Sequence, residues 1–178
     1  MKYLSACLLA ALLLPCAPAL ADKLSDAINA AKPGDTIALP EGVFQGGVVL
    51  PAGVSLRGEG WNKTIIDANG AEHGLTIQGG NALSISGLTV RNARVAGIAV
   101  KGSSGLTISR VRATGCIVGV RVENATSARI ENVISDHNTY GLVLTGGTGC
   151  AVVNCTVAEC PEIGLSLPSG TGAVVFNN

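Results

Sequence analysis

Short alternations of apolar and polar residues run along most of the chain, and they keep a common beat. A glycine followed by two apolar residues around a variable one recurs at Gly74-Leu-Thr-Ile77, Gly97-Ile-Ala-Val100, Gly119-Val-Arg-Val122, Gly141-Leu-Val-Leu144 and Gly164-Leu-Ser-Leu167, at steps of 23, 22, 22 and 23 residues. A second series, Ile85, Ile108, Ile130, Val153 and Val175, advances by 23, 22, 23 and 22. Within each unit the period is two, not 3.6. Ile98 and Val100 face one way, Ala99 and Lys101 the other, which is the pattern of a strand. A third short stretch follows a small turn, at Leu88-Thr-Val90, Val111-Arg-Ala113 and Val133-Ile-Ser135. Turn residues separate the units: Gly102-Ser-Ser-Gly105, Asn124-Ala-Thr-Ser127 and Gly146-Gly-Thr-Gly149. Three short strands in each repeat of about 22 residues leave no room for a helix, and a repeat of this length means stacked supersecondary units. Equivalent strands then form parallel sheets along the stacking axis, each coil rising ~4.8 Å.

The glycine-led strand, the Ile-x-Asn type of turn (Ile130-Glu-Asn132, Val153-Asn154) and the period together resemble the pectate-lyase-like right-handed parallel β-helix superfamily. The resemblance covers about Gly34 to Asn178. The stretch from Ala27 to Phe44, and Leu50-Pro-Ala-Gly-Val-Ser-Leu-Arg-Gly-Glu-Gly60, are also similar to openings in that superfamily. The resemblance implies an all-β solenoid with a short N-terminal helix over its first coil. Leu24, Ala27, Ile28 and Ala31 have helical spacing and Pro33-Gly34 ends the run, so the cap is expected over 22–33 and the β-helix over 34–178. Some cap is required physically, because the end of a solenoid exposes core and unpaired strand edges. A leucine-rich repeat has a similar period. Its consensus fits Ile85-x-x-Leu88-x-Val90-x-Asn92 but decays at once, to Ala113, Ser135 and Ala158 in the third apolar position.

Residues 1–21 read as an export signal: Lys2, the apolar run Leu8 to Leu14, and the Ala19-Leu20-Ala21 cleavage site. The protein is therefore expected to be periplasmic or extracellular, with no membrane attachment after cleavage. Export permits disulfides. Four cysteines remain (Cys116, Cys150, Cys155 and Cys160), open to three full pairings or to simple burial in a narrow core. The series stops at Val174-Val-Phe-Asn-Asn178 in mid-coil, so further coils, or end-to-end pairing with another chain, are expected there.

Composition narrows the partners. The 178 residues carry 12 basic and 12 acidic side chains, only 13% charged, so no basic patch recommends nucleic acid. Long, regular solenoid walls suit extended polymers. In the superfamily this resembles, that implies pectate, alginate or related uronate chains, acted on by lyases, epimerases or hydrolases. The resemblance further implies a ligand face made of the glycine-led strands and the turns before them. On that face stand Lys101, Arg121 and Glu123, with Arg94 and then Asp136 and His137 in the preceding turns; Arg112 lies nearby. Uronate chemistry needs a cation for the carboxylate, a base and an acid. Arg121 is the candidate cation, His137 the proton carrier, and Asp136 its orienting partner; these three are the candidate catalytic residues. Arg94, Arg112, Lys101 and Glu123 are candidate substrate contacts. No cofactor and no metal ligand set are assigned from the residues; Asp136 could bind calcium. The Asn-Thr-Asp strand of polygalacturonases and the Asp-Pro-His motif of alginate epimerases are absent from the sequence. The competing reading is a non-catalytic scaffold or binding wall at the cell surface or in the periplasm. A copper-delivery accessory role is weaker, since the exported chain would hold no Met and two His.

Overall fold

The computed structural model describes residues 21–167 and 172–178. The expected export signal lies outside these residues except for Ala21, where helix α1 (Ala21–Ala30) begins. Leu24 and Ile28 on α1 are buried, and Ala27 and Ala31 pack against the same core. The helix thus covers the first coil, as the apolar spacing requires. It stops at Ala30, short of Pro33, and the Lys32 amide turns to the Asp35 carboxylate at 2.8 Å.

Beyond α1 the chain winds as a right-handed parallel β-solenoid of about six coils. The glycine-led strands make a six-stranded parallel sheet, the first wall: Val48–Leu50, His73–Gln78, Ala96–Lys101, Val118–Glu123, Tyr140–Thr145 and Ile163–Ser166. The other eleven described strands form one further sheet. It creases along its length into a second and a third wall, because single strands such as Ser84–Arg91 and Thr107–Thr114 serve both. The crease is a left-handed residue in each of five coils: Gly87, Arg110, Asn132, Asn154 and Asn177, with φ between +51° and +67°. The other corners carry ladders of the same kind, such as Gly79, Gly102, Asn124 and Gly146. Such conformations suit Gly and Asn, so the turn composition and the cross-section have one cause.

The glycine that leads each first-wall strand has a steric reason. A Cβ at Gly97 would stand 2.8 Å from the Gly119 carbonyl oxygen, and one at Gly119 would stand 2.7 Å from that of Gly141. Successive coils approach too closely there for any side chain.

Inward residues build one continuous core, from Leu24 and Phe44 through Ile77, Ile98, Val120 and Leu142 to Val152. Burying each such side chain contributes about 1.5–3 kcal/mol. The register corrects one expected position. Val152, not Val153, pairs with Ile130 and Val175, and Val152 is the buried one. A one-residue slip reverses the face of a strand, and Val152-Val153 offers no apolar contrast to fix it. The second wall also shows what the repeat pattern hides. Its paired positions run Ile37, Leu56, Ile85 and Ile108, so the first two steps are 19 and 29 residues before the regular beat sets in.

The four cysteines are unbonded: Cys116, Cys150 and Cys155 are buried and Cys160 half-buried. Burial pushes the Cys116 and Cys155 thiols above their ordinary pKa. Asn132, Asn154 and Asn177, which as turn asparagines are expected to fill internal turns and bond free backbone groups, stand exposed at the crease instead. Asn138 and Asn178 are the ones that satisfy backbone groups. Asn138 accepts from the Cys116 amide (2.9 Å) and donates to the Ala113 carbonyl (2.9 Å), and Asn178 does the same for Cys155 (2.7 Å) and Val152 (3.0 Å).

Candidate functional site

The third wall ends in a row of paired positions: Asp67, Arg91, Thr114, Asp136 and Ala158. The next residue in most coils, including Asn92, His137 and Glu159, takes a left-handed conformation that throws its side chain outward. Stacking therefore aligns polar groups that are far apart in sequence.

Arg112 and Asp136 form a two-pronged pair across adjacent coils. Arg112 Nε donates to Asp136 Oδ1 at 3.0 Å and Nη2 to Oδ2 at 2.6 Å. The Asp136 side chain is only 13% exposed. Arg112's hydrogen bonds hold the carboxyl below the usual carboxylate range, against an opposing push from burial. The same pairing raises the Arg112 guanidinium. His137 Nδ1 lies 3.2 Å from Asp136 Oδ2, and its Nε2 lies 2.6 Å from Glu159 Oε2 on the following coil. The result is a chain of side-chain contacts, Arg112–Asp136–His137–Glu159. Glu159 occupies the equivalent left-handed turn position of the next coil, and no sequence motif singles it out. Its one signal is the spacing of 22 residues from His137.

A second cluster sits in the two coils immediately before that of Arg112. Arg91 Nε donates to Asp67 Oδ2 at 2.8 Å, and Asn92 Nδ2 approaches both oxygens, at 3.0 and 3.1 Å. Burial pushes the Asp67 carboxyl up, but hydrogen bonds from Asn92, the Asn69 amide and Arg91 outweigh it, and the net displacement is downward.

Arg121 and Glu123 lie elsewhere, on the outer face of the first wall, where Arg121 Nε stands 3.1 Å from Glu123 Oε1. That nitrogen is buried and its N–H is not aimed at the oxygen, so the contact is an ion pair, not a hydrogen bond. Thr76, Ala99, Arg121 and Val143 are in register along the axis, and so are Gln78, Lys101, Glu123 and Thr145. Lys101 is exposed beside Glu123. Arg94 is exposed in the turn before the wall, its amide bound to Ala71. The face is less polar than its alternation suggests: Ala96, Ala99 and Val118 are buried there, with Val95, Tyr140 and Val143 packed on them.

The structure thus joins Arg112, Asp136 and His137, and sets Arg121 with Glu123 on another wall. Chemically, Asp136 is an occupied carboxylate with both oxygens engaged, a poor base for a substrate C–H. His137 carries an exposed imidazole ring, 57% accessible. Among the described residues, no group of three His, Cys, Asp or Glu side chains could hold a metal ion.

A family model described as "Right handed beta helix region" matches residues 52–178. No curated protein matches the sequence. Among solved structures, an alginate lyase from a Paenibacillus species aligns with a TM-score of 0.59 at 18% identity, over 87% of this chain and 71% of that one. A pectin methylesterase variant in complex with a hexasaccharide aligns with a TM-score of 0.51 at 16% identity, over 87% and 62%. The A-module of a mannuronan C-5 epimerase from Azotobacter vinelandii aligns with a TM-score of 0.50 at 19% identity, over 79% and 52%. At these identities the likeness is one of fold, and the last two proteins extend well beyond the length matched here.

Proposed function

This chain belongs to the right-handed β-helix family, and on that premise we propose that it is an exported protein that holds an extended acidic polysaccharide along its first wall. The observation that carries this reading is the in-register strip Thr76–Ala99–Arg121–Val143, with Lys101 at its edge. Thr76 and Ala99 are themselves buried, so the track the strip offers a ligand is narrow: the half-buried Arg121 and Val143 and the exposed Lys101, with Glu123 beside the cations. An extended sugar chain presents apolar ring faces and carboxylates at regular intervals, and such a track complements both. The fold is shared with structures named as an alginate lyase, a pectin methylesterase and a mannuronan epimerase, which gives the polymer class by analogy. Export agrees with the leader-like residues 1–21, and no helix of the described residues is long and apolar enough to cross a membrane.

Binding is favoured over processing by one feature: the candidate cation Arg121 is paired with Glu123 on the first wall, whereas Asp136 and His137 are engaged with Arg112 and Glu159 in another cluster. In the processing reading, His137 moves the proton and Arg121 or Arg94 neutralises the carboxylate.

The test is calorimetric titration with pectate, alginate and a neutral glucan, with and without calcium, alongside assays for unsaturated products and reducing ends. Uronate binding that weakens about tenfold in Arg121→Ala, with no product formed, supports the binding reading. Product formation abolished by His137→Ala supports processing. A folded protein that binds no uronate polymer overturns the proposal in favour of a structural scaffold.

A further inference from the structure

The corner between the second and third walls, which the first wall does not touch, is enlarged at one place. In the second coil the strands Ser55–Arg57 and Thr64–Asp67 are separated by residues 58–63, whereas the later coils turn there on one or two residues. This loop carries Trp61, the chain's single tryptophan, 44% exposed. Against it lies a cleft of about 430 Å³ with Arg57, Trp61 and Arg110 on its rim. A second depression of about 230 Å³, under Ala38 and Pro40, continues from Arg57 and Glu59.

We propose that this corner is a binding site for a sugar acid: a pyranose stacks on Trp61 while Arg57 and Arg110 take its carboxylate or that of the neighbouring unit. The place is independent of the first wall; the ligand class rests on the polysaccharide reading above. Four observations converge on it. Arg91, Arg112, Arg121 and Arg129 each pair with a carboxylate, but among the described residues Arg57 and Arg110, like Arg94 in the turn before the first wall, have no such partner. Arg57 and Arg110 are both exposed, with their forked donors free for an anion. Arg110 holds a left-handed backbone (φ +52°) at a position filled by Gly87, Asn132 and Asn154 in neighbouring coils. An arginine there sustains a strained conformation, which marks functional positions. Backbone forms part of the floor, since Gly58, Gly60 and Gly87 line the cleft.

The fourth observation is rigidity. The Gly60 amide donates to the Gly87 carbonyl at 2.8 Å, and the Glu59 amide to the buried Thr64 hydroxyl at 3.0 Å. The Thr89 hydroxyl donates to the Trp61 carbonyl. The loop is therefore organised before any ligand arrives, which lowers the entropic cost of binding. Glu59 on the same rim provides an acceptor for sugar hydroxyls and disfavours a plain polyanion. Arg57 pairs in register with Ser86 and Ser86 with Ser109, so Arg57 and Arg110 are two coils apart, ~10 Å along the axis. A disaccharide bridges that span.

Trp61 makes the experiment local, because its fluorescence reports this corner alone. The full chain is titrated with oligogalacturonate, oligoalginate and a neutral oligoglucan under selective tryptophan excitation. The expected result is a saturable change with the uronides only, weakened about tenfold in Arg57→Ala and in Arg110→Gly. Arg110→Gly keeps or raises the melting temperature, since Gly fits the left-handed corner, so its loss of binding is not a loss of fold. Arg121→Ala leaves the Trp61 signal unchanged. An unchanged Trp61 signal, an equal response to the neutral glycan, or wild-type affinity in both arginine variants overturns the site. If calorimetry still detects uronate binding that Arg121→Ala removes, only this site falls; if it detects none, the polysaccharide reading falls with it.

Discussion

At the scale of the residue, the Arg112–Asp136 pair sets an acid limit on stability. Asp136's pKa is lowered in the folded protein, so its contribution is present above the unfolded value of ~3.9 and is lost as pH falls through the lower folded value. Thermal melts between neutral pH and strong acid should show the wild type falling more steeply than Asp136→Asn; parallel curves would deny the pair that role. At neutral pH, Arg112→Ala leaves a nearly buried carboxylate without its strongest partner. The pair is partly solvated on the arginine side, so the expected cost is about 1–2 kcal/mol, measured by denaturant unfolding. Asp136 and His137 could be singled out in the sequence because polar residues stand out among strands of Val and Ile. Their partner Glu159 was visible only as a multiple of the repeat. Arg57, Trp61 and Arg110 escaped for a different reason: the cleft forms where the repeat is broken, and no local pattern links its members. The one usable clue was Arg110 occupying a corner that elsewhere is Gly or Asn.

At the scale of the element, the glycine-led strand is the structural unit. A Cβ at Gly119 would stand 2.1 Å from the Ser135 hydroxyl and 2.7 Å from the Gly141 carbonyl oxygen. Gly119→Ala should cost about 3 kcal/mol or prevent folding. Gly102→Ala meets nothing within 4 Å and carries only the left-handed penalty (φ +62°), about 1 kcal/mol. Melting temperatures of the two variants decide whether close coil contact or backbone conformation makes glycine necessary in this fold. The same element shows how far pattern reaches. Gly74 to Leu167 announced coil length, strand faces and turn positions. The slip from Val152 to Val153 came where two adjacent apolar residues offer no polar contrast, and the swap between Asn132 and Asn138 came because both types bond to backbone in turns.

At the scale of the whole molecule, stability in a solenoid is a sum of coil and interface contributions. Its described coils differ in cover. Helix α1 lies over the first, whereas Val174 and Phe176 are each 60% exposed on the last described strand, Val174–Phe176. Amide hydrogen exchange of this chain should rise from strong protection in Ser84–Arg91 and Val118–Glu123 to weak protection in Ile163–Ser166 and Val174–Phe176. Uniform protection would mean that the solenoid opens as one cooperative body. The overall architecture was legible in the sequence because it repeats. Its first two coils were not, since steps of 19 and 29 residues match no period.

Those irregular steps have a consequence beyond description. Immediately after the enlarged corner, Thr64 pairs with Gly42 behind it and Ile65 with Thr89 ahead. The ladder resumes without displacement, so the detour is absorbed where it occurs. Loop length at a corner is thereby decoupled from the rest of the stack, as a cassette is from its player. New recognition surfaces can be spliced into such a corner, lengthened or exchanged while every other rung keeps its place.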